Sequence, residues 1–158
     1  MDFRLPESPH FRNVVAILMG LMVSAAVVGT VEMLGHAVYP TPAELDLGNA
    51  EELGAFLATS PALFLMFVVC GWFLGIFCGC FVAGVLGGLQ GVVCAMVTGL
   101  VHASMVILLL MQLPTPMWFR MAGVLVLVPG GWMGWRFSDR LLAYWQTLER
   151  ESPSPGEK

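Results

Sequence analysis

A long stretch without a formal charge constrains this chain more than any other feature. From Pro61 to Leu113 the sequence contains no Asp, Glu, Lys or Arg. One membrane-spanning helix needs about 20 apolar residues, because each residue advances the helix axis by about 1.5 Å and the hydrocarbon layer is about 30 Å thick. The stretch is therefore long enough for two spans. The glycine-rich segment 87–91 predicts a tight turn between helices at about 61–86 and 91–112.

The overall composition supports lipid as the solvent of this chain. Of its 158 residues, 58% are hydrophobic and 11% are charged, whereas soluble domains average about 45–50% and about 25%. A chain of this size has too much surface to hide so many apolar side chains in a water-soluble core. Its seven basic residues are scattered, which excludes the clustered patch of a nucleic-acid-binding protein.

Two further spans flank the charge-free stretch. A polar leader, residues 1–12, precedes an apolar run at 13–38 that Glu32 interrupts and Pro40 ends. A second run, 116–137, contains Pro129, which should kink its helix because proline lacks the backbone N–H and clashes with the preceding turn. The chain is thus predicted to be an all-α polytopic membrane protein with four transmembrane helices.

The first run also has features of a signal peptide. Its leader is basic, and Val23-Ser24-Ala25 resembles a cleavage site. Apolar residues continue beyond Ala25, which favours a retained helix over a cleaved one.

The remaining segments are predicted to be short interfacial helices and a tail. In the loop 40–60, Asn49 followed by Glu52 indicates an N-cap with its capping-box partner, and the helix after it should lie on the membrane surface. Ser60 and Pro61 should then provide the N-cap and first residue of the second span. Apolar residues at helical spacing indicate an amphipathic helix at 138–150, and the Pro- and Ser-rich tail 151–158 should be disordered.

The distribution of basic residues predicts the orientation. Six of the seven lie on one side if the chain crosses four times, and only Arg120 lies on the other. Arg and Lys near span ends favour the cytoplasm. Both termini are therefore expected to be cytoplasmic, and the acidic 40–60 loop should lie outside.

Small residues recur at every fourth position of the two central spans. Such a glycine-zipper pattern lets helix backbones approach closely. We expect these two helices to pack against each other in one subunit, and the alternative is a seam between copies of the chain. The residues are Gly71, Gly75, Gly79, Ala83 and Gly87 in the second span, and Gly91, Ala95, Gly99 and Ala103 in the third.

Three ionisable side chains within the spans are candidates for function, because such groups are costly in a bilayer. Glu32 and His36 share one helix face and can interact; they either anchor the loop at the outer interface or handle a proton or ligand. His102 lies near the middle of its helix and should be neutral. Its partner is expected to be Thr98 or a backbone carbonyl, and the alternative is a proton relay.

No motif for catalysis or for a cofactor is present. The sequence lacks a nucleophile elbow, a phosphate-binding loop and a zinc-binding helix motif. Cys78 and Cys80 point in opposite directions around a helix, so they cannot hold one metal ion. Buried cysteines commonly act as small apolar residues. We therefore expect no cofactor, no metal and no enzymatic activity.

Several segments carry a resemblance to a known group. The segments are VEMLGHAVYPTP at 31–42, Gly71-Trp72, the glycine-rich second span and PTPMWF at 114–119. Through them the chain resembles small uncharacterised four-span bacterial membrane proteins over most of residues 13–137. The resemblance implies a four-helix fold in the bacterial cytoplasmic (inner) membrane and no mechanism. Small multidrug resistance transporters also have four short spans and a glutamate in the first, but here Glu32 lies near the helix exit and the loop is longer, so this likeness is analogy only.

These observations favour a non-enzymatic accessory or scaffold component of the membrane. Its expected partners are the lipid bilayer and either a second copy or another membrane protein. The alternative is a transporter for a small solute or protons that acts as an oligomer. A water-filled cavity reaching both Glu32 and His102 would favour transport, whereas a dry, solid bundle would favour the accessory role.

Overall fold

The computed structural model describes residues 8–40, 42, 45 and 48–151, and all regular structure within them is helical. This confirms the predicted all-α class. The leader up to residue 7 and the tail from residue 152 lie outside the described residues. The disorder predicted for the tail therefore stays a prediction. The described elements are α1 (Pro9–Val38), α2 (Ala50–Thr59), α3 (Ala62–Gly87), a 3-10 turn (Gly88–Gln90), α4 (Gly91–Gln112) and α5 (Met117–Glu151).

Two helical stretches of the described chain are long and apolar enough to cross a membrane. They are Pro9–Val38 and Ala62–Gln112, with mean hydropathy values of 2.5 and 2.4. The second contains both α3 and α4, which fold back on each other at Gly88, whose φ of 57° requires a glycine. Helix α5, in which the fourth span was predicted, is not one of these stretches. It contains Arg120, and Pro129 interrupts its apolar run.

The cap of α2 is formed as predicted, but the start of α3 is not. The Asn49 side chain accepts hydrogen bonds from the backbone N–H groups of Glu51 and Glu52. Ser60, predicted to cap α3, instead ends α2, and its Oγ donates to the Phe56 carbonyl at 2.7 Å. Pro61 occupies the N-cap position of α3. Helix α2 packs over one end of the bundle, where Leu57 joins the buried core.

Helix α3 is the centre of the bundle and contacts α1, α4 and α5. Its approach to α1 is so close that a Cβ atom added to Gly79 would lie 2.8 Å from the Gly20 carbonyl oxygen. Real Cβ atoms essentially never come so near to another heavy atom. The contact therefore requires glycine in both helices.

The small-residue stripe of α3 packs mainly against α1, and the prediction that it faces α4 was wrong for most of its length. Gly71 and Gly75 lie beside Val28 of α1, whereas Gly87 lies beside Cys94 of α4. Residues four apart drift by about 40° around a helix, so the stripe rotates by about 160° from its first to its last member. It therefore passes from one neighbour to another.

The hairpin of α3 and α4 is nonetheless close. Gly91 meets the backbone carbonyl of Gly84, and Cys80 Sγ lies 3.3 Å from the Ala95 carbonyl oxygen. Ala95 is 1% exposed, and a Cβ atom on Gly99 would lie 3.0 Å from Cys80 Sγ. The α4 stripe thus faces α3 as expected, but it meets a different face of that helix.

Helix α5 runs without interruption through the boundary predicted after residue 137. Gly130, Gly134 and Ser138 lie at four-residue spacing and contact Ile76, Phe77 and Gly84 of α3, respectively. These contacts end at Ser138, and none of the described side chains from 139 to 150 is buried, yet the segment 138–150 continues the helix before it without a break. The polar residues after Arg136 make the helix surface more polar, but the backbone remains α-helical.

Candidate functional site: two cavities that meet at Glu32

A buried pair of polar side chains joins α1 to α4. Ser24 Oγ lies 2.6 Å from His102 Nδ1, and the two residues are 2% and 8% exposed. The ring also interacts with the backbone of Trp72, although its Nε2 makes no well-formed hydrogen bond. His102 therefore connects three helices, and its side-chain partner is Ser24 rather than Thr98.

Thr98 is buried but does not serve as that partner. It is 1% exposed, its hydroxyl is unpartnered, and its methyl group faces Gly20. The candidate pair of His102 and Thr98 is thus not brought together by a hydrogen bond.

Ser24 reaches His102 because α1 carries its own small-residue stripe. Ala16, Gly20 and Ser24 lie four residues apart, and all three are buried. This stripe is absent from the predicted packing pattern, in which Ser24 is only part of a cleavage-like motif. The signal was available, because the spacing in α1 is the same as in α3 and α4.

A groove of about 700 Å³ runs between α1 and α4. Both Glu32 and His102 line it. Its other lining residues include Met22 and Met105, which are 66% and 67% exposed. Such exposure means that the groove opens on the side of the bundle. Glu32 and His102 thus line one space that opens on the side of the bundle.

A second, smaller cavity lies at the end of the bundle, beneath α2. It has a volume of about 230 Å³, and Glu32 and His36 are the ionisable residues of its described lining. We call it the end cavity. The rest of the lining is apolar and strongly aromatic, with Phe56, Phe64, Phe67, Trp72 and Phe119.

Glu32 and His36 line the end cavity together, as their spacing predicted. The two side chains are close enough to interact electrostatically, but the hydrogen bonds and ion pairs of the described residues include none between them. The His36 ring packs against Phe64 with 5.4 Å between ring centroids, and its buried Nδ1 has no partner. The two side chains therefore share one cavity at the end of the bundle.

Arg120, the exception to the basic asymmetry, stabilises the end of α4. Its Nη2 donates to the Leu113 carbonyl oxygen at 3.0 Å, and its Nε donates to Thr115 Oγ1 at 3.2 Å. The last carbonyl groups of a helix lack intrahelical partners, and a cation there also complements the helix dipole. A structural role therefore accounts for this arginine.

A third groove, of about 720 Å³, separates α4 from α5. Its described lining contains no charged residue, and Trp132 and Trp135 form one end. The Arg136 guanidinium lies over both indole rings, 5.8 Å from each centroid. Helix α4 is therefore flanked by an open groove on either side.

Two arrangements of side chains bear on metal binding and on hydrolysis. The described residues contain no group of three His, Cys, Asp or Glu side chains that could hold a metal ion. Ser24 and His102 have the residue types of a nucleophile and its base. However, Ser24 is 2% exposed and lies inside a helix, where backbone N–H groups are committed to the helix and cannot form an oxyanion hole.

No protein-family model, curated protein or solved structure matches this chain.

Proposed function

We propose that this chain is a four-span protein of the bacterial cytoplasmic membrane that acts as a non-enzymatic accessory or scaffold component. The observation that carries the proposal is the exposed face of α4. Met96, Leu100 and Met111 lie within about 60° of each other around this helix and are 67%, 69% and 77% exposed. This face lies between the two lateral grooves. An apolar face of this kind suits contact with lipid or with another membrane helix.

The surface of the long helices supports the membrane assignment. Large apolar side chains are exposed along α1, α3, α4 and the first half of α5. Between Asn13 and Trp135, the charged residues within these helices are Glu32 and Arg120. Exposing this apolar surface to water would cost free energy, whereas the hydrocarbon core of a membrane matches its apolar character.

Cysteine labelling tests the topology. In a variant without the native cysteines, Ser8→Cys, Leu47→Cys and Ser154→Cys are introduced one at a time. A membrane-impermeant maleimide should label position 47 in spheroplasts and should label positions 8 and 154 only after the membrane is permeabilised. Labelling of position 154 in intact spheroplasts would contradict the four-span arrangement.

Photocrosslinking tests the accessory role. A photoreactive amino acid at Leu100, which is 69% exposed, should yield a discrete crosslinked band in native membranes. The matched control is Met33, which is 74% exposed on α1 and outside both grooves. Mass spectrometry then identifies the captured chain as a second copy or another membrane protein. Equal, diffuse crosslinking at both positions would argue against a dedicated partner face.

The alternative function, transport of protons or a small solute by an oligomer, is favoured by one observation. Glu32 and His102 line the same groove, which a second copy would close. Proteoliposomes that carry a pH gradient would then lose it faster than empty ones, and Glu32→Gln and His102→Leu would abolish the difference. Equal rates in protein-containing and empty vesicles would leave the accessory role as the better account.

A further inference from the structure

The end cavity joins one carboxylate to a wall of aromatic rings, and we infer that it binds a small organic cation such as an amine or a quaternary ammonium ion. Glu32 would be the counter-ion, and the rings would contact the apolar groups around the charge. This goes beyond the accessory role and does not depend on it. A cavity can bind a cation whether or not α4 docks another protein.

The carboxylate of Glu32 lacks a strong partner within the protein. No Lys or Arg is among the described residues that line the end cavity. Arg120, which lies at the same end of the bundle, is committed to Leu113 and Thr115. A half-buried carboxylate without a hydrogen-bonded cation is costly. A ligand that supplies the positive charge would remove that cost.

His36 interacts with the carboxylate electrostatically but is not hydrogen-bonded to it. Its ring packs on Phe64, and its Nδ1 is buried without a hydrogen-bond partner. The cavity therefore contains one acidic group and one unsatisfied imidazole nitrogen. A bound ammonium ion with a hydroxyl or N–H group has complementary chemistry for both.

The aromatic rings provide the second half of the recognition. Ring faces carry negative electrostatic potential and attract a cation within about 6 Å of the ring centroid. Phe56 of α2 meets Phe64 of α3 with centroids 5.7 Å apart, and Trp72 meets Phe119 with centroids 5.3 Å apart. Rings from different helices thus surround one space, and a quaternary ammonium ion is the cation that gains most from such a wall.

The size and location of the cavity limit the ligand. A volume of about 230 Å³ is below the range of about 300–1,000 Å³ that is typical of drug-sized ligands. It therefore suits a small ion. Glu32, Trp72 and Leu109 line both the end cavity and the α1/α4 groove. The two spaces are thus neighbours, and the groove offers a route from the side of the bundle.

Choline and its uncharged carbon isostere, 3,3-dimethylbutan-1-ol, test the charge requirement. The full chain is purified in a nonionic detergent and titrated with each compound in a calorimeter. We expect saturable binding of choline and at least tenfold weaker binding of the alcohol. Glu32→Gln should weaken choline binding at least tenfold, which corresponds to about 1.4 kcal/mol. Glu51→Gln, which removes an exposed carboxylate on α2, should bind as the parent does.

A second variant keeps the test decisive if Glu32→Gln does not fold. Phe56→Leu removes one ring but retains an apolar side chain, and it should weaken choline binding about two- to fivefold through the loss of one cation–π contact. Equal binding of choline and the alcohol, or unchanged choline binding in Glu32→Gln, would overturn the inference. Absence of choline binding to the parent chain would also overturn it. None of these results bears on crosslinking from Leu100, so the two proposals fail separately.

Discussion

The contact between α1 and α3 gives a prediction in which two similar substitutions have different effects on stability. Gly79→Ala and Gly29→Ala each add one methyl group inside a long helix. At Gly79 the new carbon would lie 2.8 Å from the Gly20 carbonyl oxygen and 2.9 Å from Ser24 Cβ. At Gly29 no heavy atom outside the local helix lies within 4 Å of the new carbon. The first methyl group meets another helix, and the second meets open space.

The structure indicates the size of the effect. Ordinary contacts of a Cβ atom lie at 3.4–4 Å, so α1 and α3 must separate in Gly79→Ala. Overpacking of this kind costs about 1–3 kcal/mol. Replacing glycine by alanine also favours the helix by about 1 kcal/mol. That gain applies to both variants, so it cancels in the comparison. Gly79→Ala should therefore be less stable than Gly29→Ala by about 1–3 kcal/mol.

Reversible unfolding in mixed micelles measures this difference. Each variant in dodecyl maltoside is titrated with SDS, and circular dichroism or tryptophan fluorescence follows the transition. Gly29→Ala should be equal to or more stable than the parent chain, and Gly79→Ala should be the less stable of the two variants. If the two differ by less than about 0.5 kcal/mol, α1 and α3 do not touch backbone to backbone, and the stripe of α3 has another role.

Three further predictions concern other contacts in the bundle. Ser24→Ala should lower the free energy of unfolding by about 0.5–2 kcal/mol, because it leaves His102 Nδ1 buried without its partner; a second loss of the same size on adding His102→Leu would show that the two residues are independent. Arg120→Met should cost about 1–3 kcal/mol, because the Leu113 carbonyl loses its donor, and the same change at Arg150, which is exposed, should leave the SDS midpoint unchanged. Gly99→Leu should reduce the yield of folded protein, because even a Cβ atom at Gly99 would lie 3.0 Å from Cys80 Sγ; the control is Gly29→Leu, and equal yields would show that this part of α4 is not in close contact.

The candidate site was only partly predictable from the sequence. Glu32, His36 and His102 could be selected because charged or polar groups within apolar runs are rare, and the i, i+4 spacing correctly placed Glu32 and His36 on one face. The aromatic wall of the end cavity could not be predicted. Its rings come from α2, α3 and α5, and each of them taken alone is an ordinary apolar residue at helical spacing.

The sequence by itself determined which segments are helical and where most of them end. Charge-free runs, prolines and the Asn49 cap act locally, so they predicted α1, α3 and α4 to within a few residues at most ends. Which helices pack against each other is not determined by local sequence. Small residues at every fourth position permit close approach of two helices but do not specify which helix is the neighbour. Their positions shift gradually around α3, so the stripe contacts α1 along most of its length and α4 at its end. Only the tertiary structure decided that Ser24 would pair with His102, because that contact depends on which helix surfaces lie opposite each other.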